Sequence, residues 1–251
     1  MTIAKKSLGQ NFLMHARTAE RIAEAAQLAP DAVVLEIGPG TGMLTRPLLA
    51  RAKKVIAVEA DRELAAELRE TFAREIAEGR LELIEGDVRS LDMSLLPQEY
   101  ALVANIPYYL TGEIFRMFLE SEHQPSSLTL LVQKEVAERI ARERKESILS
   151  LSVKAYGTPA YAFTVPRGAF APAPKVDSAV LRVSNISRSN FASRAEEERF
   201  FAYIKAGFAH KRKFVRSNLT LAGLSPGALP EKARAEDLAL ADWLGLIRQD
   251  L

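Results

Sequence analysis

Two rhythms of apolar residues run along the chain. From Val33 to Asn105, short apolar runs alternate with stretches whose apolar positions recur every three to four residues. Such alternation predicts parallel strands joined by crossover helices. Val33–Ile37, Val55–Val58, Leu81–Ile84, Ala101–Ala104 and Leu128–Val132 read as strands. Met43–Ala52, Arg62–Glu78 and Ile114–Leu119 read as intervening helices, the second with Leu64, Leu68, Phe72 and Ile76 at spacings of four. Further strands are expected near Leu149–Ala155 and Ala179–Val183, and Arg17–Leu28 reads as an amphipathic helix ahead of the sheet. From Ser184 to Ser193 the chain is polar and aperiodic, the pattern of a linker. Beyond it the pattern is helical: Glu196–Ala209, Lys211–Ala222 and, after the Ser225-Pro-Gly turn and Pro230, a last segment with Leu238, Leu240, Leu244 and Ile247. The expectation is a seven-strand α/β domain over residues 1–186 and a small all-helical domain over 187–251.

Composition narrows the class without naming a function. Of 251 residues, 48% are hydrophobic and 26% charged, which excludes a disordered or fibrous chain. No apolar run reaches the ~20 residues of a membrane helix, and the opening Met1-Thr-Ile-Ala-Lys-Lys6 lacks the apolar stretch of a signal peptide; a cytoplasmic location is expected. With no cysteine, thiolate catalysis and cysteine-held zinc are excluded. His15, His123 and His210 have no metal-ligand spacing, and no metal is expected. Trp243, among Leu240, Leu244 and Ile247, reads as core. The net charge of +2 divides unevenly: residues 1–30 carry four bases and two acids, 31–186 carry 19 and 22, and 187–251 carry 11 and eight. Positive ends around an acidic middle permit an anionic partner. Lys211, Arg212, Lys213 and Arg216 form the densest basic cluster. On a helix Arg212 and Arg216 would share a face, and with Lys5 and Lys6 they could meet phosphates.

The chemistry-bearing residues follow strand ends. Glu36-Ile-Gly-Pro-Gly-Thr-Gly42 stands between a strand and a helix, where glycines let the backbone turn tightly and approach a ligand. Met43 occupies the position that would complete the dinucleotide fingerprint, so a pyrophosphate site is disfavoured. Glu59 ends the second strand, where a carboxylate can accept both hydroxyls of a ribose, and Asp87 follows the third, where it can accept from an adenine amino group. Together with the glycine turn they lie at the carboxyl edge of one sheet, the place where open α/β sheets bind ligands. A nucleoside without a diphosphate fits, and S-adenosylmethionine is such a ligand. Asn105-Ile-Pro-Tyr108 follows the fourth strand. A side-chain amide and a proline-stiffened backbone carbonyl can accept from an aromatic amine while Tyr108 offers a stacking face, so positioning and electrostatics would carry methyl transfer to nitrogen.

On these residues the chain resembles the ribosomal RNA small-subunit adenine N6,N6-dimethyltransferases, the family whose loss gives kasugamycin resistance. Its superfamily includes the macrolide-resistance methyltransferases and a mitochondrial transcription factor. The resemblance runs nearly end to end, through Gln10-Asn-Phe-Leu13, the 36–42 glycine motif, Glu59, Asp87, Asn105–Tyr108, Gln133–Arg139, Phe170–Ala179 and Arg234–Leu240. It implies that Asn11 and Leu13 cover the methionine end of S-adenosylmethionine and that Gly38 and Gly40 lie beside it. It implies further that Glu59 holds the ribose and Asp87 the adenine amino group. Asn105 and Pro107 would hold the target N6, with Tyr108 and Phe170 sandwiching the flipped base. The implied substrate is a pair of adjacent adenines in a loop near the 3' end of small-subunit ribosomal RNA, met by a monomer on immature subunits. Two alternatives remain open: methylation of a large-subunit adenine, and a non-catalytic assembly or transcription factor. Lys145–Val153 and Tyr109–Gly112 depart from the family's usual residues.

Overall fold

A computed structural model describes residues 9–249. The described residues divide into two compact units: 9–137 with 160–186, and 138–159 with 187–249. The expected split at residue 186 misses one excursion, since 138–159 join the C-terminal helices.

The first unit is built on a sheet. Its strands are β2 (Val33–Ile37), β3 (Lys54–Glu59), β4 (Leu81–Glu85), β5 (Ala101–Asn105), β6 (Ser127–Gln133), β7 (Thr158–Val165) and β9 (Ser178–Ser184), in the spatial order β4-β3-β2-β5-β6-β9-β7. Strands β2 to β6 run parallel and β9 antiparallel to β6. The central strands are continuous apolar runs because both faces are covered; Val34, Leu35, Val55, Leu102, Val103, Leu128 and Leu130 are all buried. At the β4 edge the pattern alternates, and Glu82 meets Lys54 at 2.6 Å on the open side. Crossovers are made by α2 (Thr45–Leu49), α3 (Arg62–Thr71) with α4 (Ala73–Ala77), and α5 (Thr111–Leu119), while α1 (Ala16–Ala25) precedes the sheet. The single helix expected over Arg62–Glu78 is broken at Phe72, whose backbone leaves the helical region. A separate ribbon pairs β1 (Phe12–Leu13) with β8 (Phe170–Ala171), setting Leu13 opposite Phe170.

The second unit is helical: α7 (Ile148–Tyr156), α8 (Arg194–Gly207), α9 (Val215–Leu221) and α10 (Leu240–Arg248), with Trp243 fully buried; α6 (Lys134–Ala141) runs from one unit into the other. Two expectations are corrected here. Leu149–Ala155 is helix, not strand. Ser147 caps it through a reciprocal pair with Ser150, and Leu151, Ala155 and Tyr156 are buried, so the cap and tertiary packing outweigh the alternating apolar-polar pattern. The seventh strand is β7 instead. Residues 184–193 are not a free linker either: Asn190 donates to the Ala155 carbonyl at 2.7 Å and the Ser187 N–H to Tyr156 at 2.8 Å.

Candidate active site

The carboxyl ends of β2, β3, β4 and β5 open onto one cleft with about 1090 Å³ of free space, the adjoining solvent included. Gly38, Gly40, Glu59, Asp87, Asn105, Pro107, Tyr108, Phe170, Asn11 and Leu13 all line it. The glycines between β2 and α2 divide their work. Gly38 has φ +63° and open space where a Cβ would stand, which leaves room for a ligand against the backbone. Gly42 has φ +76°, and a Cβ there would lie 2.5 Å from the buried Phe72 ring, so this glycine serves the packing of the turn on α3. The Phe72 break in the helix therefore supports the glycine turn.

Glu59 is buried at the end of β3. The Gly40 N–H donates to Oε2 at 3.0 Å and the Asp61 N–H to Oε1 at 2.9 Å, tying the glycine turn to the neighbouring strand. Burial raises its pKa and the two N–H bonds oppose the rise. Each oxygen keeps a lone pair for a further donor. Asp87 sits past β4, half-exposed, with Arg89 paired to it at 2.5 Å; that hydrogen bond holds its carboxyl below the usual range. Ionisable residues lining the cleft include Glu36, Glu59, Asp87 and Arg89. Among the described residues three acids face one base that is already paired, which suits a cationic ligand and disfavours a diphosphate.

The Asn105 amide nitrogen donates to the Asn11 carbonyl at 3.1 Å, leaving Oδ1 as an acceptor. The Pro107 carbonyl is taken by the Leu110 N–H at 3.0 Å, closing the short turn Tyr108–Leu110. The Tyr108 hydroxyl meets Ser178 Oγ at 2.5 Å, and burial raises its pKa. Phe170 is brought to the cleft by the β1–β8 ribbon. The preceding segment is pinned as well, since Gln10 donates to Asp61 at 3.2 Å and Met14 N–H to the Ala169 carbonyl at 2.9 Å. Tyr109, one of the departures from the family pattern, stands largely exposed at the mouth.

Glu36, the first residue of the glycine motif, has no separate role in the sequence pattern. It is 1% exposed, and its Oε2 has no hydrogen-bond partner; neither has the buried Thr45 hydroxyl. Burial pushes its carboxyl up to about 8 and the Glu59 charge adds to the rise; the Thr45 hydroxyl faces it and opposes the rise, but lies outside good hydrogen-bond geometry. The available signal was an acid inside a continuous apolar strand.

Outside the cleft, the basic cluster differs from expectation. Lys211, Arg212 and Lys213 lie in an exposed turn before α9, so Arg212 and Arg216 do not share a helix face. Arg216 is on α9, where it donates to the carbonyls of Gly227 (3.2 Å) and Leu229 (2.7 Å). Lys5 and Lys6 lie outside the described residues. His123 has a structural place, stacked on Tyr100 and bonded to the Pro97 carbonyl at 2.7 Å. Among the described residues no helix is long and apolar enough to cross a membrane, and no cluster of potential metal ligands occurs.

A family model described as ribosomal RNA adenine dimethylase matches residues 1–244. A ribosomal RNA small subunit methyltransferase A from Dehalococcoides mccartyi is 38% identical, covering 96% of this chain and 86% of its own. Among solved structures, a dimethyladenosine transferase from Plasmodium falciparum is 26% identical with a TM-score of 0.79, covering 95% of this chain and 96% of its own. The 23S rRNA methyltransferase ErmE is 29% identical with a TM-score of 0.74, covering 95% of this chain and all of its own. The chain belongs to the ribosomal RNA adenine dimethylase family.

Proposed function

We propose that this protein transfers methyl groups from S-adenosylmethionine to the N6 atoms of two adjacent adenines in a loop near the 3' end of small-subunit ribosomal RNA, dimethylating each. The observation that carries the reading is the cleft itself. Gly38, Glu59, Asp87 and Asn105 come from four consecutive strand ends and line one acidic space with Tyr108 and Phe170. A purely nucleic-acid-binding module has little use for that set.

The residues fit the cofactor. The space over Gly38 admits a nucleoside against the backbone, Glu59 retains acceptor capacity for ribose hydroxyls, and Asp87 can exchange part of its Arg89 contact for an adenine amino group. Asn11 and Leu13 cover the methionine end. When bound, the cofactor supplies a methyl group already activated on a positively charged sulfur. The chain's task is then to hold the amine in line and stabilise the charge that develops on it. Asn105 Oδ1 and the Ile106 carbonyl, stiffened by the following Pro107 ring, accept from the two N6 hydrogens and turn the lone pair toward the methyl. Tyr108 and Phe170 stack on the two faces of the extruded base, each contact worth about 1–3 kcal/mol. Loop adenines are the ones a protein can extrude at low cost. The protein works as a monomer on immature small subunits, and Lys211, Arg212 and Lys213 meet RNA phosphates, with Lys5, Lys6 and part of Arg216's charge adding to the field.

The small-subunit target is supported by relatives at 35–38% identity carrying that name; a large-subunit target is represented by ErmE at 29%. Labelled methyl transfer to immature small subunits from a strain lacking the modification tests the reading, with modified adenines mapped by mass. Small-subunit adenines left unmodified would sink it. Asn105→Ala is expected to lower the rate by about 10²–10³, and full activity in that variant would remove Asn105 from the role.

A further inference from the structure

The cleft holds two buried acids, and among the described residues the one arginine lining it, Arg89, is paired with Asp87 instead. Glu36 and Glu59 come from the neighbouring parallel strands β2 and β3, and Glu36 lies opposite Ala57 in the register. Their surroundings differ. Both Glu59 oxygens receive backbone N–H groups, which favour its charged form. Glu36 receives none, and its Oε2 is sealed away from water without a partner. An ionised carboxylate in that state is among the costliest groups to bury, and the ordinary relief is to take up a proton.

Among the described residues, the groups around Glu36 offer a hydroxyl but no counter-charge. On β3 the nearest charge is Glu59, of the same sign. On α2 the group facing it is the Thr45 hydroxyl, while Arg46 is exposed and turned over the Phe72 ring. Strand β5 (Ala101–Asn105) carries no ionisable residue. Asp61, at the start of α3, is a further acid, and Arg89 is engaged by Asp87.

We propose that Glu36 is held uncharged in the ligand-free cleft and gives up its proton when a cationic cofactor binds, so that cofactor capture and proton release are one step. This inference rests on the S-adenosylmethionine reading. The proton passes from the Glu36 carboxyl to solvent, and no bond in the cofactor changes. The sulfonium charge supplies the counter-ion that the fold withholds. Once the methyl group has gone, the sulfur is neutral, the reason for Glu36 to remain ionised weakens, and the proton returns. Glu36 thereby distinguishes substrate from spent cofactor by charge, acting as a positioning residue.

Titration calorimetry in buffers of different ionisation enthalpy reads the protons exchanged. At pH 7 the wild type is expected to release close to one proton more than Glu36→Gln on binding S-adenosylmethionine, and a smaller excess with S-adenosylhomocysteine. The dissociation constant for S-adenosylmethionine should tighten about tenfold more between pH 6.5 and 8.5 in the wild type than in the variant. Difference infrared spectra of the wild type alone, which do not depend on the variant folding, should lose a protonated-carboxyl band on binding. Binding with equal proton exchange in both proteins and no lost band would overturn the proposal and leave the cofactor reading intact. Absence of binding at every pH would overturn both.

Discussion

Buried carboxylates occur in both units of this chain, in opposite states. In the helical unit Glu196 and Glu197 lie in the first turn of α8, where the helix N-terminus favours negative charge, and each accepts from an arginine. Glu196 accepts from Arg248 at 2.7 Å and from the Ala192 N–H at 2.5 Å, and the Arg248 contact holds its carboxyl below the usual range. Glu197 accepts from the buried Tyr156 hydroxyl at 2.5 Å and from Arg188 at 3.0 Å. In the sheet unit Glu36 and Glu59 have no arginine or lysine partner among the described residues, and both are pushed upward by burial. The carboxylates that hold the helical unit together are paired with cations. Those that line the cleft are not, and the fold carries the cost of burying them.

Breaking the arginine-paired carboxylates has the largest expected effect. Glu197→Ala removes the buried carboxylate that Arg188 and the Tyr156 hydroxyl share and should lower stability by about 3 kcal/mol in urea unfolding, while cofactor affinity of the folded protein is unchanged. A stable variant would collapse the contrast. The opposite sign is expected at Glu36. Its pKa rises from 4.5 to about 8 on folding, so the folded protein holds the extra proton in that window. Stability from this group is greatest below the unfolded value and is lost as pH rises, by about 1.4 kcal/mol per unit, until the folded value is passed. Glu36→Gln should flatten that slope between pH 5 and 7.5 in the ligand-free protein, and an unchanged slope would place the titration elsewhere. Glu59→Ala should weaken S-adenosylmethionine binding about tenfold to a hundredfold by calorimetry. The smallest effect belongs to the exposed turn: Arg212→Ala should alter stability by less than about 0.5 kcal/mol, yet reduce the salt dependence of RNA binding by about one phosphate contact.

What could be read from the chain follows from how local each cause is. Strands buried on both faces announce themselves, and β2 has the same bounds in sequence pattern and structure. Glu59, Asp87 and Asn105 were placed correctly at one edge because a parallel sheet orders its strand ends. The helix at Ile148–Tyr156 escapes the pattern because its apolar and polar residues alternate as in a strand, while its cap and tertiary packing decide otherwise. The basic turn was misread because α9 starts only at Val215. Phe170 reaches the cleft through a pairing with residues more than 150 positions away, which no local pattern encodes; resemblance alone pointed to it. Glu36 escaped notice because sequence shows an acid but not the missing counter-charge.

The β1–β8 ribbon carries a mechanical consequence. Its two residue pairs set Leu13 opposite Phe170, and the neighbouring Asn11 carbonyl accepts from the amide of Asn105. Two walls of the cleft that lie far apart in the chain, at Asn105 and at Phe170, therefore share one short support.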